Sequence, residues 1–259
     1  MHPELNFGPF TITAYSFFTA AALLVAVIGG YFFARRRGLK RNDSLWMLLG
    51  MGLSVFIGAR LFNVIINLDW YAQEPARAVA LTATGLSLYG GVVFGALAGA
   101  GIARARRIPL LKFADTVAPF VGIGIALMRV GCFLNGCCFG KVTDLPWGVK
   151  FPPYSLAHMH QISENPFTAF SVQPVHPTQL YELAAALLCT LLAFILIKKK
   201  TPHGTAALAC VILFSVFRLI NMQLRALTYS DTTLNIWYPL FYAAIIAVSG
   251  IYLFKLIKK

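Results

Sequence analysis

Seven stretches of this chain are apolar for about as long as a helix needs to cross a bilayer, roughly 20 residues. They run over about 12–34, 44–67, 83–103, 113–135, 177–197, 204–225 and 233–254. Short polar links join all but one successive pair. The exception, about 136–176, carries Pro146, Pro152, Pro153, Pro166 and Pro174, with polar and aromatic residues between them. The pattern predicts an all-α integral membrane protein of about seven transmembrane helices. Residues 1–259 form a single transmembrane domain, with 136–176 inserted between spans four and five as a small cap or lid.

Composition agrees. The chain is 58% hydrophobic and only 12% charged, where a soluble globular domain is about a quarter charged. Lys and Arg number 22 against 9 Asp and Glu. Such a balance points to nucleic acid or to an anionic lipid surface, and burial in lipid selects the second, so no nucleic acid is expected. There is no long basic tail, low-complexity tract or internal repeat. No basic region precedes the first apolar stretch, which therefore reads as a retained span and not as a signal peptide.

The basic residues also orient the spans. One side collects Arg35, Arg36, Arg37, Lys40 and Arg41, then Arg104, Arg106, Arg107 and Lys112, then Lys198, Lys199 and Lys200, and finally Lys255, Lys258 and Lys259. The other side has Arg77, Lys141, Lys150 and Arg225. The first side is read as cytoplasmic. The N-terminus and the cap then lie outside, and the C-terminus lies inside.

Three arginines fall within spans: Arg60, Arg129 and Arg218. A charge at the centre of a transmembrane helix costs roughly 2.5–3.5 kcal/mol on the insertion scale. All three come late in outward-running spans, which gives them a similar depth on the outer side. Snorkelling to the headgroups accounts for one such residue alone. Three at one level point further, because the planar guanidinium fork suits a two-point grip on phosphate. The expectation is a pocket for the headgroup of an anionic phospholipid.

Other polar residues fall at that level. Tyr89 lies in SLYGG (87–91), and His176, Gln179, Tyr181 and Glu182 lie in VHPTQLYE (175–182). Pro177 suits the first position of a helix, and Gln179 and Glu182 then share a face. Tyr15 opens the first span and Asn135 closes the fourth. A lone interfacial tyrosine is commonly an aromatic-belt anchor. Glu182 needs a proton or a cation, and Arg129 or Arg218 is the expected partner. Gly90, Gly91, Gly95, Gly99 and Gly101 include spacings that permit close helix packing. Gly131, Gly136 and Gly140 permit tight turns, close backbone approach or N–H groups turned to an anion.

MRVGCFLNGCCFG (128–140) places Cys132, Cys137 and Cys138 on the outer side, while Cys189 and Cys210 lie in apolar spans as small buried hydrophobes. A disulfide from Cys132 to Cys137 or Cys138 is compatible with an oxidising compartment. A thiol oxidoreductase uses a C-x-x-C pair, which is missing. A metal would need further ligands, with His158, His160 and His176 nominally at hand. Inert thiols or one structural disulfide is the reading, and neither a metal nor a cofactor is expected.

Five stretches together resemble the prolipoprotein diacylglyceryl transferase family over nearly the whole chain. They are FGPFTITAY (7–15), SLYGGVVFG (87–95), MRVGCFLNGCCFG, VHPTQLYE and FSVFRLINMQLR (214–225). Arg129, Asn135, Gly136, Gly140, His176, Gln179, Tyr181, Glu182, Arg218, Arg225 and Tyr15 match the family's motifs. Tyr89 stands where the family has a histidine, Cys132 where it has asparagine, and Cys137 and Met222 where it has glutamates.

The resemblance implies a bacterial inner-membrane enzyme. It would move a diacylglyceryl group from phosphatidylglycerol, or another anionic phospholipid, to the lipobox cysteine in the signal-peptide region of a preprolipoprotein. Tyr89, Arg129, Glu182 and Arg218 would be catalytic. Tyr15, Arg60, Asn135, Gly136, Gly140, His176, Gln179, Tyr181 and Arg225 would bind substrate. Two alternatives remain open: a different acceptor at the same lipid pocket, and a non-catalytic lipid-binding or lipid-translocating protein.

Overall fold

The computed structural model describes residues 4–7, 10–79, 87–226 and 233–258, with side chains at all of these except 6, 7, 10, 88, 89, 233 and 234. The described residues are mostly helical, with one short hairpin near the start and irregular backbone over much of 136–177. Strand β1 (Glu4–Phe7) pairs antiparallel with β2 (Phe10–Thr13), Leu5 opposite Ile12. The expected first span begins at residue 12, but two more residues belong to this hairpin. Helix α1 (Ala14–Leu24) follows, because Thr13 is extended and its hydroxyl caps the helix by accepting from Ser16 N at 3.2 Å. A π-helical turn, Val25–Gly29, leads into α2 (Gly30–Arg36).

After α2 come α3 (Arg41–Ile66), the short α4 (Leu68–Gln73) and α5 (Ala76–Val79), α6 (Leu88–Arg106) and α7 (Leu110–Asn135). Residues 136–176 contain α8 (Leu156–Glu164) and a 3-10 turn, Pro166–Phe170. Then α9 (Thr178–Lys198), α10 (Thr205–Leu224), a π-helical turn Thr233–Trp237 and α11 (Tyr238–Ile257) complete the chain.

Six helices among the described residues are long and apolar enough to cross a membrane: Ala14–Arg36, Arg41–Ile66, Leu110–Asn135, Thr178–Lys198, Thr205–Leu224 and Asn235–Ile257. The expected third span begins in residues outside the described ones, and its remainder is α6. The spans turn Leu53, Leu97, Leu188, Ile220 and Phe254 outward, while Ala34, Ala59, Ala186 and Ala193 are buried. Lipid is as apolar as leucine, so contact between membrane helices favours small residues that let backbones approach. Helices α2, α6, α9 and α11 carry Arg or Lys in their last turns. There the cation faces the negative end of the helix dipole, so residues expected to set sidedness also stabilise helix ends.

Contacts divide the chain into two compact units. The unit of Val27–Val117 is built on α3 and α6. A Cβ on Gly90 would lie 2.1 Å from Gly58 O, and one on Gly95 would lie 2.6 Å from a Val55 methyl. The closeness expected from the glycine spacing is therefore realised. Ala34, Leu39, Met47, Ala103, Ile108 and Phe113 form its core.

The other unit comprises Met1–Ala26 and Ala118–Lys259. Here α10 packs against both α9 and α11. Gly131 brings α7 onto the start of α1, where an added Cβ would meet Phe18 Cβ at 2.8 Å and Ala14 O at 3.3 Å. In residues 136–176, Phe139, Phe151, Ala157 and Val175 make a small apolar core. Single bridges join Val175 to Val142 and Val149.

Candidate functional site

Helix α7 ends in a Schellman motif. Gly136 is left-handed at φ 70°, its N–H bonds Phe133 O at 3.2 Å, and Cys137 N bonds Cys132 O at 3.1 Å. The glycine is required for that backbone. Cys138 is also left-handed, at φ 60°, an uncommon state for a residue with a side chain. Two bonds from the first turn of α9 hold the segment. Thr178 Oγ1 donates to Cys138 O at 2.7 Å, and Gln179 Nε2 donates to Cys137 O at 2.6 Å. The chain then threads past Gly140, where an added Cβ would lie 2.5 Å from His176 Cβ and 2.7 Å from Leu224 O. Only glycine admits that approach, which pairs Gly140 with Arg225 in a β-bridge.

These turns bring the ends of α7 and α10 to the start of α9. Glu182, three residues beyond Gln179, is 1% exposed. Arg129 Nε lies 2.7 Å from its Oε2. Arg218 Nη1 bonds its Oε1, and Arg225 Nη1 is 3.8 Å from the same oxygen. Asn221 Nδ2 donates to Oε1 at 2.9 Å. Arg218, 7% exposed, also donates from Nε to the Tyr242 hydroxyl at 3.2 Å. Arg129 and Arg218 are thus the partners that Glu182 required, and Arg225 is a third.

The electrostatics are lopsided. Three guanidinium groups meet one carboxylate among side chains that are at most 13% exposed. Burying a charge costs several kcal/mol after relaxation, and pairing must offset it. Glu182 can neutralise only one of the three. Polar valence is also unspent: among the described residues Arg225 Nε, Asn221 Oδ1 and Gln179 Oε1 are buried without a hydrogen bond, a state that calls for a ligand, an ion or water. Arg225 opens onto a cavity of about 530 Å³ lined also by Lys141, His160, Gln161, Gln223 and Asn235.

The thiols sit against this cluster. None of the five cysteines is in a disulfide. The Sγ atoms of Cys132, Cys137 and Cys138 lie within 4.8 Å of one another. Arg129 Nη1 is 3.6 Å from Cys132 Sγ. Hydrogen bonds from the Cys132 and Cys137 thiols, then the charges of Arg225 and Arg129, hold the Cys138 thiol below its ordinary pKa range against the opposing effect of burial. Asn135 hydrogen-bonds Cys137, and Tyr15 lies within electrostatic range of all three sulfurs.

The other expected residues are placed differently. His176 and Tyr181 form a second set, with His176 Nδ1 3.3 Å from the Tyr181 hydroxyl, which accepts from Trp147 Nε1 at 2.8 Å. Arg60 belongs to the Val27–Val117 unit. There its Nε donates to Ala78 O at 3.1 Å and its Nη2 to Arg77 O at 2.7 Å. The backbone of Tyr89 is in α6, but its side chain lies outside the described residues. The sequence reading did not single out Asn221, Tyr242 and Thr178. Asn221 left a signal, since it stands three residues after Arg218 on one face of an apolar helix. Tyr242 and Thr178 left none.

The family model described as prolipoprotein diacylglyceryl transferase matches residues 4–257. A phosphatidylglycerol–prolipoprotein diacylglyceryl transferase from Nostoc sp. is 31% identical over 257 residues, covering 95% of this chain and 84% of the relative. The protein of that name from Geobacter sulfurreducens is 31% identical over 76% of this chain and 73% of its own. The one from Pasteurella multocida is 33% identical over 74% and 69%.

Proposed function

The chain belongs to the prolipoprotein diacylglyceryl transferase family, and from that premise we propose that it moves a diacylglyceryl group from phosphatidylglycerol to the lipobox cysteine of a prolipoprotein. The observation that carries this reading is the excess of buried guanidinium charge around Glu182. A phosphodiester anion supplies the charge that one carboxylate cannot.

In the transfer, the acceptor sulfur attacks the glyceryl carbon that bears the phosphate ester. The C–O bond breaks with its electron pair on oxygen, glycerol phosphate leaves, and a C–S thioether bond forms. Negative charge grows on the phosphate as the C–O bond stretches. Fixed guanidinium groups in a water-poor site stabilise that growth without reorganising, commonly the largest catalytic contribution. Arg218 is committed to Glu182 and Tyr242, so its role is to hold the carboxylate and add field. Arg129 and Arg225 keep donors for the phosphate. Glu182 fixes all three forks, and Tyr15, Asn135, Gln179 and the backbone at Gly136 and Gly140 shape the wall around them. His176 and Tyr181 border the site through residues 140–142.

The membrane is that of a bacterial cell's interior boundary. The lysine and arginine distribution supports an N-terminus outside and a C-terminus in the cytoplasm, with seven spans in all. Residues 136–176 then form an extracytoplasmic cap through which the signal-peptide region of the acceptor approaches. The test is transfer by purified protein in phosphatidylglycerol vesicles to a lipobox peptide, read as the added diacylglyceryl mass. Arg129→Ala lowers the rate by about 100-fold or more, the scale of removing one preorganised charge-stabilising donor. No mass addition, where another family member gives it, removes the reading.

A further inference from the structure

The three sulfurs beside the arginine cluster have no part in phosphate binding. Three thiols converge where a disulfide needs two. Their backbone is held in place: Cys137 ends the Schellman motif, and Cys138 keeps a left-handed conformation pinned by Thr178 and Gln179. Strain of that kind costs of order 1–3 kcal/mol and persists where surrounding structure over-determines it, typically at functional sites. Cys132 comes from the last turn of α7, so a helix and its cap together aim three sulfurs at one point.

We propose that Cys132, Cys137 and Cys138 hold a thiophilic divalent cation, zinc being the common biological case, and leave its fourth position to the acceptor thiol. The geometry is close to what this requires. Zinc–sulfur bonds of ~2.3 Å in a tetrahedron set sulfurs roughly 3.8 Å apart, and the three lie within 4.8 Å. Small side-chain rotations close that gap. Soft thiolate ligands select zinc or copper(I) over magnesium or calcium. Three protein ligands with one open position are the pattern of a reactive zinc site, where structural sites close all four.

Charge balance favours the same assignment. A dication with three thiolates is an anionic unit. It faces Arg129, 3.6 Å from Cys132 Sγ, and Arg225, whose charge acts on Cys138. The guanidinium excess that draws the phosphate therefore also draws the metal–thiolate unit.

The step that needs the metal is activation of the nucleophile. On binding, the three protein thiols give up their protons to water as three S–metal bonds form. The acceptor thiol then loses its own proton to water as its sulfur fills the fourth position, because a coordinating thiol is deprotonated outright. That sulfur attacks the glyceryl carbon, the C–S bond forms, the C–O bond breaks and glycerol phosphate leaves. The neutral thioether is a weak ligand and departs. No oxidation occurs. This supplies a deprotonation at a site where the family's histidine position is Tyr89. The metal site stands on geometry alone, while its use by the acceptor rests on the transferase reading.

The experiment uses the full chain, reduced, in phosphatidylglycerol nanodiscs, with cobalt(II) and zinc(II) as probes. One cobalt(II) per chain is expected, with thiolate charge-transfer and tetrahedral d–d bands, displaced by zinc. Cys137→Ser and Cys138→Ser each weaken binding by about 100-fold or more while keeping the helical circular dichroism of the parent. Cys189→Ala with Cys210→Ala leaves the stoichiometry unchanged. A lipobox peptide shifts the d–d bands, and the same peptide with serine for cysteine does not.

The absence of stoichiometric binding with three counted free thiols overturns the proposal, as does a disulfide among the three in protein prepared without reductant. Metal binding and the peptide shift without transfer from phosphatidylglycerol support the metal site and remove the transferase reading. Transfer at full rate after chelation, with the site verified metal-free, overturns this proposal and leaves that reading intact.

Discussion

Arg218 and Arg60 look alike in sequence. Each sits late in an apolar span and is expected to point outward. In the structure they solve the same problem by different means. Arg218 is buried between Glu182 and Tyr242, and its fork is spent on that carboxylate and that hydroxyl. Arg60, in the other unit, spends its fork on the carbonyls of Arg77 and Ala78, where α5 has turned back toward α3. Those carbonyls lie in the last turn of a short helix, where backbone acceptors have no intrahelical partner, and the arginine's donors meet them. An arginine in a span is thus a question about its partner. A carbonyl partner makes it a fastener. A carboxylate shared with two other guanidinium groups makes it part of an unbalanced charge cluster, which is what an anion needs.

Glu182→Gln breaks that contrast at its centre and has the largest expected effect. The amide keeps the shape but leaves three guanidinium groups with no buried countercharge. Removing one partner of a buried ion pair costs about 3–5 kcal/mol, and transfer falls below detection. An anionic lipid restores part of the missing charge, because a ligand that binds only the folded form stabilises it. The variant's thermal midpoint should therefore rise from phosphatidylcholine to phosphatidylglycerol vesicles by more than the parent's does. Equal shifts in the two proteins would mean that the cluster does not meet the headgroup.

Tyr242→Phe probes the same cluster more gently. It removes one hydroxyl that accepts from Arg218 Nε at 3.2 Å and leaves the ring, whose centroid is 5.9 Å from the guanidinium carbon. A hydrogen bond to a charged group is worth about 1.5–3 kcal/mol. Arg218 keeps Glu182, so the loss should fall at the low end, with transfer down by roughly tenfold at an unchanged apparent affinity for lipid. A variant that loses lipid affinity and keeps turnover would put Tyr242, and not Arg129 or Arg225, at the headgroup.

What could be read from the sequence follows from the physics of each feature. Spans and their basic ends were legible because lipid imposes length and apolarity on every residue between them. The hairpin at 4–13 was not, since its four-residue strands run straight into an apolar helix and Thr13 serves both. Glu182 was legible because a carboxylate at that depth demands a cation, and the motif placed it a turn from Gln179. Its third partner, Arg225, was by position a span-end charge, and the family resemblance placed it among the substrate-binding residues without pointing to Glu182. What brings it in is the close passage at Gly140, a tertiary contact that leaves no periodic trace. The thiols were visible as letters but not as a site. Cys132 and Cys137 are five residues apart, and only the Schellman turn at Gly136 folds the second back over the first.

Arg60→Ala has the smallest expected effect and tests the comparison from its other side. The substitution deletes two donors, at 3.1 and 2.7 Å, and a contact with the face of Tyr71 at 6.0 Å. The site is partly exposed, so water or headgroups can replace the donors at α5, and the net cost is about 0.5–1.5 kcal/mol. That corresponds to a drop in thermal midpoint of a few degrees, roughly 2–4 °C per kcal/mol. Transfer from phosphatidylglycerol should fall less than about tenfold, against about 100-fold or more for Arg129→Ala. The two variants assayed side by side, in the same vesicles and with the same peptide, decide whether Arg60 is a fastener or a ligand. A loss as large as that of Arg129→Ala, with the fold intact, would place Arg60 at the phosphate and end the distinction between the two arginines.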